Sequence, residues 1–247
     1  MAVVFLKFSE QKRCVNTNNW KARFCLLLTI ALLSGCGGKE AGPSGETVPL
    51  TEEQIAQANE ALSATREEDG ILYSTEISCF FTSYYDRVEE LDFENFLRYF
   101  PTSEYVEDED GDEFAALASL PEFPQPRAEQ LNNGQRISVD LAPVPVHRIR
   151  EEDVNAALTK WAGITLDDIS SKNGAPYLED YHAFYTFTSD FGPGQFLCTG
   201  GEVEGDTARL WFGSTGESKT QNLLTLVQKD GNWLISSFQN LPAVAEK

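Results

Sequence analysis

Residues 177–239, YLEDYHAFYTFTSDFGPGQFLCTGGEVEGDTARLWFGSTGESKTQNLLTLVQKDGNWLISSFQ, decide the fold of this chain. Tyr181, Ala183, Tyr185 and Phe187 alternate with His182, Phe184, Thr186 and Thr188, the two-residue period of a strand with two distinct faces. The turn DFGPG follows, and then Gln195 to Val203, Thr207 to Gly213, Leu223 to Lys229 and Trp233 to Gln239 form further short runs rich in β-branched and aromatic residues. Glu204-Gly205-Asp206 and Asp230-Gly231 separate them with the turn residues of tight hairpins. The spacing predicts an antiparallel meander at the C-terminal end of an α+β fold.

Working backward, Glu151 to Trp161 reads as the helix that covers this sheet. Val154, Ala157, Leu158 and Trp161 share one face, acids fill the first turn, and Gly163 is the stop signal. Thr165 with Asp168 starts a further short turn. Arg136 to Leu141 and Val144 to Ile149 read as short strands whose Pro143 and Pro145 place them at an edge or a bulge. Pro121, Pro124 and Pro126 make residues 120–134 an extended connection, a hinge between the two ends of the chain. Glu113 to Ser119 reads as a helix.

Nearer the start, Thr51 and Gln54 have the spacing of a capping box, and Ile55, Ala58, Ala61 and Leu62 continue at helical period, predicting a helix over 52–66. Ile71 to Tyr85 is dense in β-branched and aromatic residues, which favours a strand over 75–85. Asp92 is placed to cap Phe93 to Phe100, with Leu91 and Phe96 as a hydrophobic staple and Pro101 as the stop. Eight aromatics fall between Phe80 and Phe100. The spacing of Phe93, Phe96 and Phe100 assigns them to one apolar helix stripe, so they read as core rather than as a sugar-stacking platform.

The first 38 residues carry a different message. Lys21 and Arg23 precede the twelve-residue, mostly apolar run Phe24 to Gly35, too short to cross about 30 Å of hydrocarbon as a helix. A positive flank, an apolar segment and small residues before a cysteine together read as a secretion signal. Leu33-Ser34-Gly35-Cys36 resembles the lipobox of bacterial lipoproteins. That resemblance implies removal of residues 1–35 and attachment of diacylglycerol, with further acylation such as palmitate, at Cys36. Gly37 to Leu50, GGKEAGPSGETVPL, has the composition of a flexible tether. The expected organisation is therefore a signal peptide over 1–35, a lipidated cysteine and tether over 36–50, and one α+β domain over 51–247.

The leader takes five of the 19 basic and one of the 39 acidic residues, leaving 14 and 38 and a net charge near -24. Such a surface repels phosphate backbones and anionic headgroups, so nucleic acid is excluded as a partner. Membrane attachment is left to the lipid on Cys36, and two acyl chains suffice without a basic patch. Cys79 and Cys198 remain after Cys14 and Cys25 leave with the leader. An exported pair can close a disulfide, and each also sits in an apolar run suited to a buried thiol.

No nucleophile elbow, phosphate-binding loop, dinucleotide fingerprint or zinc spacing is present, so no cofactor, metal site or catalytic residue is expected. The acidic run Glu107 to Glu113 fails as an EF-hand, because Val106 and Leu117 fall where carboxylates are required. His147 and His182, the two histidines, belong to no triad spacing. Asp167-Asp168, Glu179-Asp180 and Asp190 supply carboxylates in number but no dyad, and neighbours on a strand point to opposite faces.

The segments EISCFFTSYYD, FLRYFP, EEDVNAALTKWAGITLDDI and DGNWLISSF are similar to uncharacterised lipoproteins of clostridia and related Firmicutes. The closing Trp-x-Ile-x-x-Phe strand is also similar to that of the nuclear-transport-factor-like cone. The expectation is a lipid-anchored extracytoplasmic envelope protein with a non-catalytic binding or scaffolding role. Tyr181, His182 and Asp190 would line the lip of a concave sheet that meets a glycan or peptide. The alternative is an envelope hydrolase using paired carboxylates on cell-wall glycan. A two-lobed solute receptor is disfavoured, because its alternating parallel strands and helices are missing.

Overall fold

Asp230 and Gly231, both at positive φ of 53° and 78°, turn the chain between its two longest strands, as the Asp-Gly pair requires. The computed structural model describes residues 46–101, 103–107, 111–123, 144–172, 174–187, 194–213 and 221–241. The first described elements are β1 (Val48–Pro49), α1 (Glu52–Ala61), β2 (Thr65–Glu68), β3 (Ile71–Ser74) and a 3-10 helix at Glu76–Phe81. Next come α2 (Phe93–Arg98), β4 (Glu104–Tyr105), α3 (Gly111–Leu117), β5 (Val146–Arg150) and α4 (Glu151–Ala162). The last are β6 (Tyr177–Leu178), β7 (Ala183–Phe187), β8 (Gly200–Glu204), β9 (Thr207–Gly213), β10 (Gln221–Lys229) and β11 (Asn232–Leu241).

The fold is α+β with antiparallel sheets. β8, β9, β10 and β11 run as the expected meander, and β1 joins the β8 edge to make five strands. β10 and β11 stay in register from Lys229↔Asn232 to Leu226↔Ile235, where a bulge resets the pairing to Thr225↔Ser237. β7 does not belong to this sheet. It lies between β5 and β6 in a four-stranded sheet of order β4, β5, β7, β6. With the β2–β3 hairpin the described strands form three sheets, and these pairings do not establish the cone.

Each face of the smaller sheet meets its own core. Ile149 and Phe184 face the larger cluster, which includes Phe93, Phe96 and Leu97 of α2 and Val154, Leu158 and Trp161 of α4. Val146, Ala183 and Tyr185 face a second cluster with Phe114 and Leu117 of α3. α4 ends where expected. Gly163 takes φ 66°, its N–H bonds Thr159 O at 3.1 Å, and a Cβ there would come 2.6 Å from Leu234 Cδ1 of β11. The missing side chain lets the helix end rest on the strand.

Several boundaries differ from the sequence reading. Residues 75–85 do not form a strand: Glu76–Phe81 is a 3-10 helix in which Ile77, Ser78, Cys79, Phe80 and Phe81 are all buried. Burial of five consecutive side chains satisfies the apolar content without a sheet, and composition here reported burial rather than conformation. Gly194 presses on its backbone, since a Cβ there would lie 2.6 Å from Ser78 O and 2.7 Å from Phe81 C. α1 stops at Ala61, and Thr65 to Ser74 forms a hairpin around Asp69-Gly70 instead. The helix expected over 113–119 spans Gly111–Leu117, and the strand expected over 195–203 begins at Gly200. Both capping boxes form, at Thr51 and at Thr165, and Asp92 caps α2. Cys79 and Cys198 are free thiols, both buried, which resolves the open pairing question. Residues 124–134 of the expected hinge, the expected strand 136–141 and the turn from Asp190 to Pro193 lie outside the described residues.

Candidate functional site

The α3 side of the smaller sheet concentrates the polar side chains. Strand pairing sets Glu104 and Tyr185 on either side of Arg148 across β4, β5 and β7. Directly opposite residues share a face, and from it Arg148 and Tyr185 reach α3. Glu113, in the first turn of α3, is only 4 % exposed. Its Oε1 accepts from Arg148 Nε at 2.6 Å and from the Tyr185 hydroxyl, and its Oε2 accepts from Arg148 Nη2. Arg148 also reaches Glu104 Oε2 at 3.4 Å, and Arg150 reaches the same oxygen at 3.2 Å.

A planar guanidinium matches a carboxylate in two parallel bonds, and a third donor holds it from the side. The Tyr185 hydroxyl is pushed up from its ordinary pKa, first by burial and then by the adjacent Glu113 carboxylate. Tyr181, on the turn above, is raised by loss of water and by Glu113, Asp112 and Asp180, against which Arg148 acts in the opposite direction. Three donors already commit both oxygens of this carboxylate to structural bonds. Its chemistry is that of an anchor for α3 on the sheet.

A second group sits at the start of α4. The Tyr177 hydroxyl donates to Glu151 Oε2, and that bond, with lesser help from burial, pushes the phenol pKa up to about 12. His182 turns the chain at φ 46°, its carbonyl accepts the Glu151 N–H at 3.0 Å, and its Nδ1 stands 3.9 Å from Glu151 Oε2. That last separation is beyond hydrogen-bond reach. His182 therefore serves first as a backbone corner leading into β7.

One concavity of about 100 Å³ opens between α2 and β7, with Glu94, Arg98, Glu122 and Thr186 on its lining. Arg98 Nη2 bonds Glu94 Oε1 across one helical turn at 3.2 Å. Gly174, at φ 85°, closes over it: a Cβ there would lie 2.8 Å from Glu94 Oε2. The volume suits a few water molecules rather than a sugar ring, since small-molecule sites occupy about 300–1,000 Å³.

The structure places the sequence-derived candidates as follows. Tyr181 and His182 are exposed but lie in a 3-10 turn and a left-handed residue, not on a strand lip. Glu179-Asp180 opens that same turn. Asp168 caps the short turn at Thr165, whose backbone N–H and then hydroxyl hold its carboxyl below the usual range. His147 is buried, with Nδ1 3.2 Å from Ser103 Oγ and its ring 4.7 Å from that of Tyr105. Cys36 and Asp190 lie outside the described residues. Glu113, Arg148, Glu151 and Tyr177 were not singled out from sequence. Their only signal was Arg148 two residues beyond Val146 on an apolar strand, and its partner lies 35 positions away in sequence. Among the described residues no three His, Cys, Asp or Glu side chains gather to hold a metal ion. Compared with protein-family models, curated proteins and solved structures, the chain matches none of them.

Proposed function

We propose that this chain is a lipid-anchored extracytoplasmic protein of the cell envelope with a non-catalytic binding or scaffolding role. The observation that carries the address is Leu33-Ser34-Gly35-Cys36 after an apolar run, followed at once by a Gly, Pro and Ser tether. Diacylglycerol on Cys36 holds the protein at the membrane, and an acidic body stands off anionic headgroups at roughly 20 Å, the typical reach of fourteen flexible residues. No helix among the described residues is long and apolar enough to cross a membrane. The non-catalytic reading is supported by Glu113, Glu151 and Asp168, whose oxygens hold structural bonds. A glycan or a peptide is the class of ligand left open by the charge.

Radiolabelled palmitate fed to a bacterium expressing the full chain should enter the parent and not Cys36→Ser, and the parent should fractionate with membranes. Absence of label in the parent, with fractionation unchanged by the substitution, overturns the reading.

The hydrolase alternative keeps one observation in its favour: Glu94 and Glu122 line the same concavity. It requires the cleft to widen around a glycan. Release of soluble fragments from purified cell wall by the parent but not by Glu94→Gln or Glu122→Gln would establish it, and no release by the parent would remove it.

A further inference from the structure

The hairpin Thr65 to Ser74 stands apart from both cores. Glu67, Glu68, Ile71 and Leu72 are exposed, Ile71 at 55 % and Leu72 at 69 %. Pairing sets Glu68 and Arg66 opposite Ile71 and Tyr73 on one face, and Glu67 opposite Leu72 on the other. Both faces are therefore wet around two large aliphatic side chains. An isolated two-stranded ribbon of this kind is only marginally stable by itself.

Among the described residues no strand pairs with the outer edge of β3. Thr75 N–H donates to Ala64 O at 3.0 Å, which sets the parity of the ladder. Ala64, Arg66 and Glu68 exchange main-chain bonds with Thr75, Tyr73 and Ile71, so the N–H and C=O groups of Leu72 and Ser74 point away from β2. No proline, lysine or bulge blunts that edge, the usual protections against strand addition. The charges say what meets it. Glu67, Glu68 and Asp69 crowd the tip, and Arg66 is held by Glu68 at 3.5 Å and stacks 5.8 Å from the Tyr73 ring centre. A second copy carries the same acids within a net charge of -20, and an anionic lipid surface is repelled in the same way.

We propose that the β3 edge is a docking strand for a partner protein that offers an extended segment with Lys or Arg beside aliphatic residues. The partner strand adds along Leu72 and Ser74, its long basic side chains reach across β3 toward the acidic tip formed by Glu67, Glu68 and Asp69, and its apolar groups cover Ile71 and Leu72. This deepens the binding role proposed above and rests on it, but it does not depend on the lipid.

The test uses the full chain carrying Cys36→Ser, so that failure of anchoring and failure of docking are read separately. The probe is a fluorescein-labelled peptide repeating Lys-Lys-Val-Val, which presents both residue types on both faces of a strand, followed by anisotropy. Ile71→Ser with Leu72→Ser keeps the charge unchanged and should weaken binding roughly tenfold or more. Glu67→Lys with Glu68→Lys should weaken it and flatten its salt dependence. In the parent, the amides of Leu72 and Ser74 should gain protection from hydrogen exchange when the peptide is added. The proposal is overturned by a change under about twofold for the serine pair, by no gain in protection, or by self-association or anionic-vesicle binding that the serine pair abolishes.

Discussion

Removing the Glu113 carboxylate should unfold this protein more readily than any other single change in its smaller sheet. Arg148 has a side chain only 13 % exposed, and its guanidinium relies on Glu113 for two bonds. In Glu113→Ala the guanidinium keeps Glu104 at 3.4 Å, a carboxylate 47 % exposed and hence screened by water. Deleting one partner of a buried pair costs about 3–5 kcal/mol, and the remaining contact with Glu104 places this case near 3. The Tyr185 hydroxyl, wholly buried, loses its acceptor for about 1 kcal/mol more. The expected loss is therefore about 4 kcal/mol, a fall in Tm of roughly 8–16 °C for a chain of this size. Urea unfolding followed by tryptophan fluorescence measures it directly. Tyr185→Phe, which leaves the ion pair intact, should lose only about 1 kcal/mol. Glu113→Leu with Arg148→Met should recover most of the loss, because apolar groups of similar volume leave no charge stranded. A Glu113→Ala variant within about 1 kcal/mol of the parent, or a double variant no better than the single one, would refute the reasoning.

Two further outcomes follow from other sites. The Tyr177 phenol is raised to about 12 by its bond to Glu151, so its stabilising contribution is complete below its ordinary value near 10 and is lost between pH 10 and about 12. Absorbance titration at alkaline pH should show Tyr177 among several late phenols, and Glu151→Gln should move one phenol earlier; an unchanged titration counts against the bond. Gly163→Ala forces a left-handed backbone on alanine and drives a Cβ toward Leu234 Cδ1 at 2.6 Å, for a loss of about 1–2 kcal/mol in urea, and a loss under about 0.5 would count against the tight docking of α4 on β11.

Much of the fold was legible because its signals are local. Thr51-Glu-Glu-Gln, Asp92 before an apolar stripe, acids before Val154 with Gly163 behind, and Asp230-Gly231 each satisfy backbone groups within a few residues, so neighbours alone dictate the conformation. The address proposed at Cys36 rests on the same kind of contiguous signal. Residues 75–85 were misjudged because an apolar aromatic run states that it will be buried without stating against what, and the helix expected to 66 stops at Ala61 because Thr65 to Glu68 pairs with the strand that follows Asp69-Gly70. The 3-10 helix at Glu76–Phe81 packs its carbonyls against Gly194, a contact more than a hundred residues away that no local pattern announces.

Sequence by itself determined the helices with caps, the hairpin turns of the meander and the strongly acidic composition. Tertiary structure alone decided that β7 leaves the meander for a second sheet, that Arg148 meets Glu113 and Tyr185, and that Ile71 and Leu72 stand in water. The physical reason is range: caps and turns are settled by bonds within one turn of chain, whereas strand partners and buried charges are chosen by whichever distant segment packs against them.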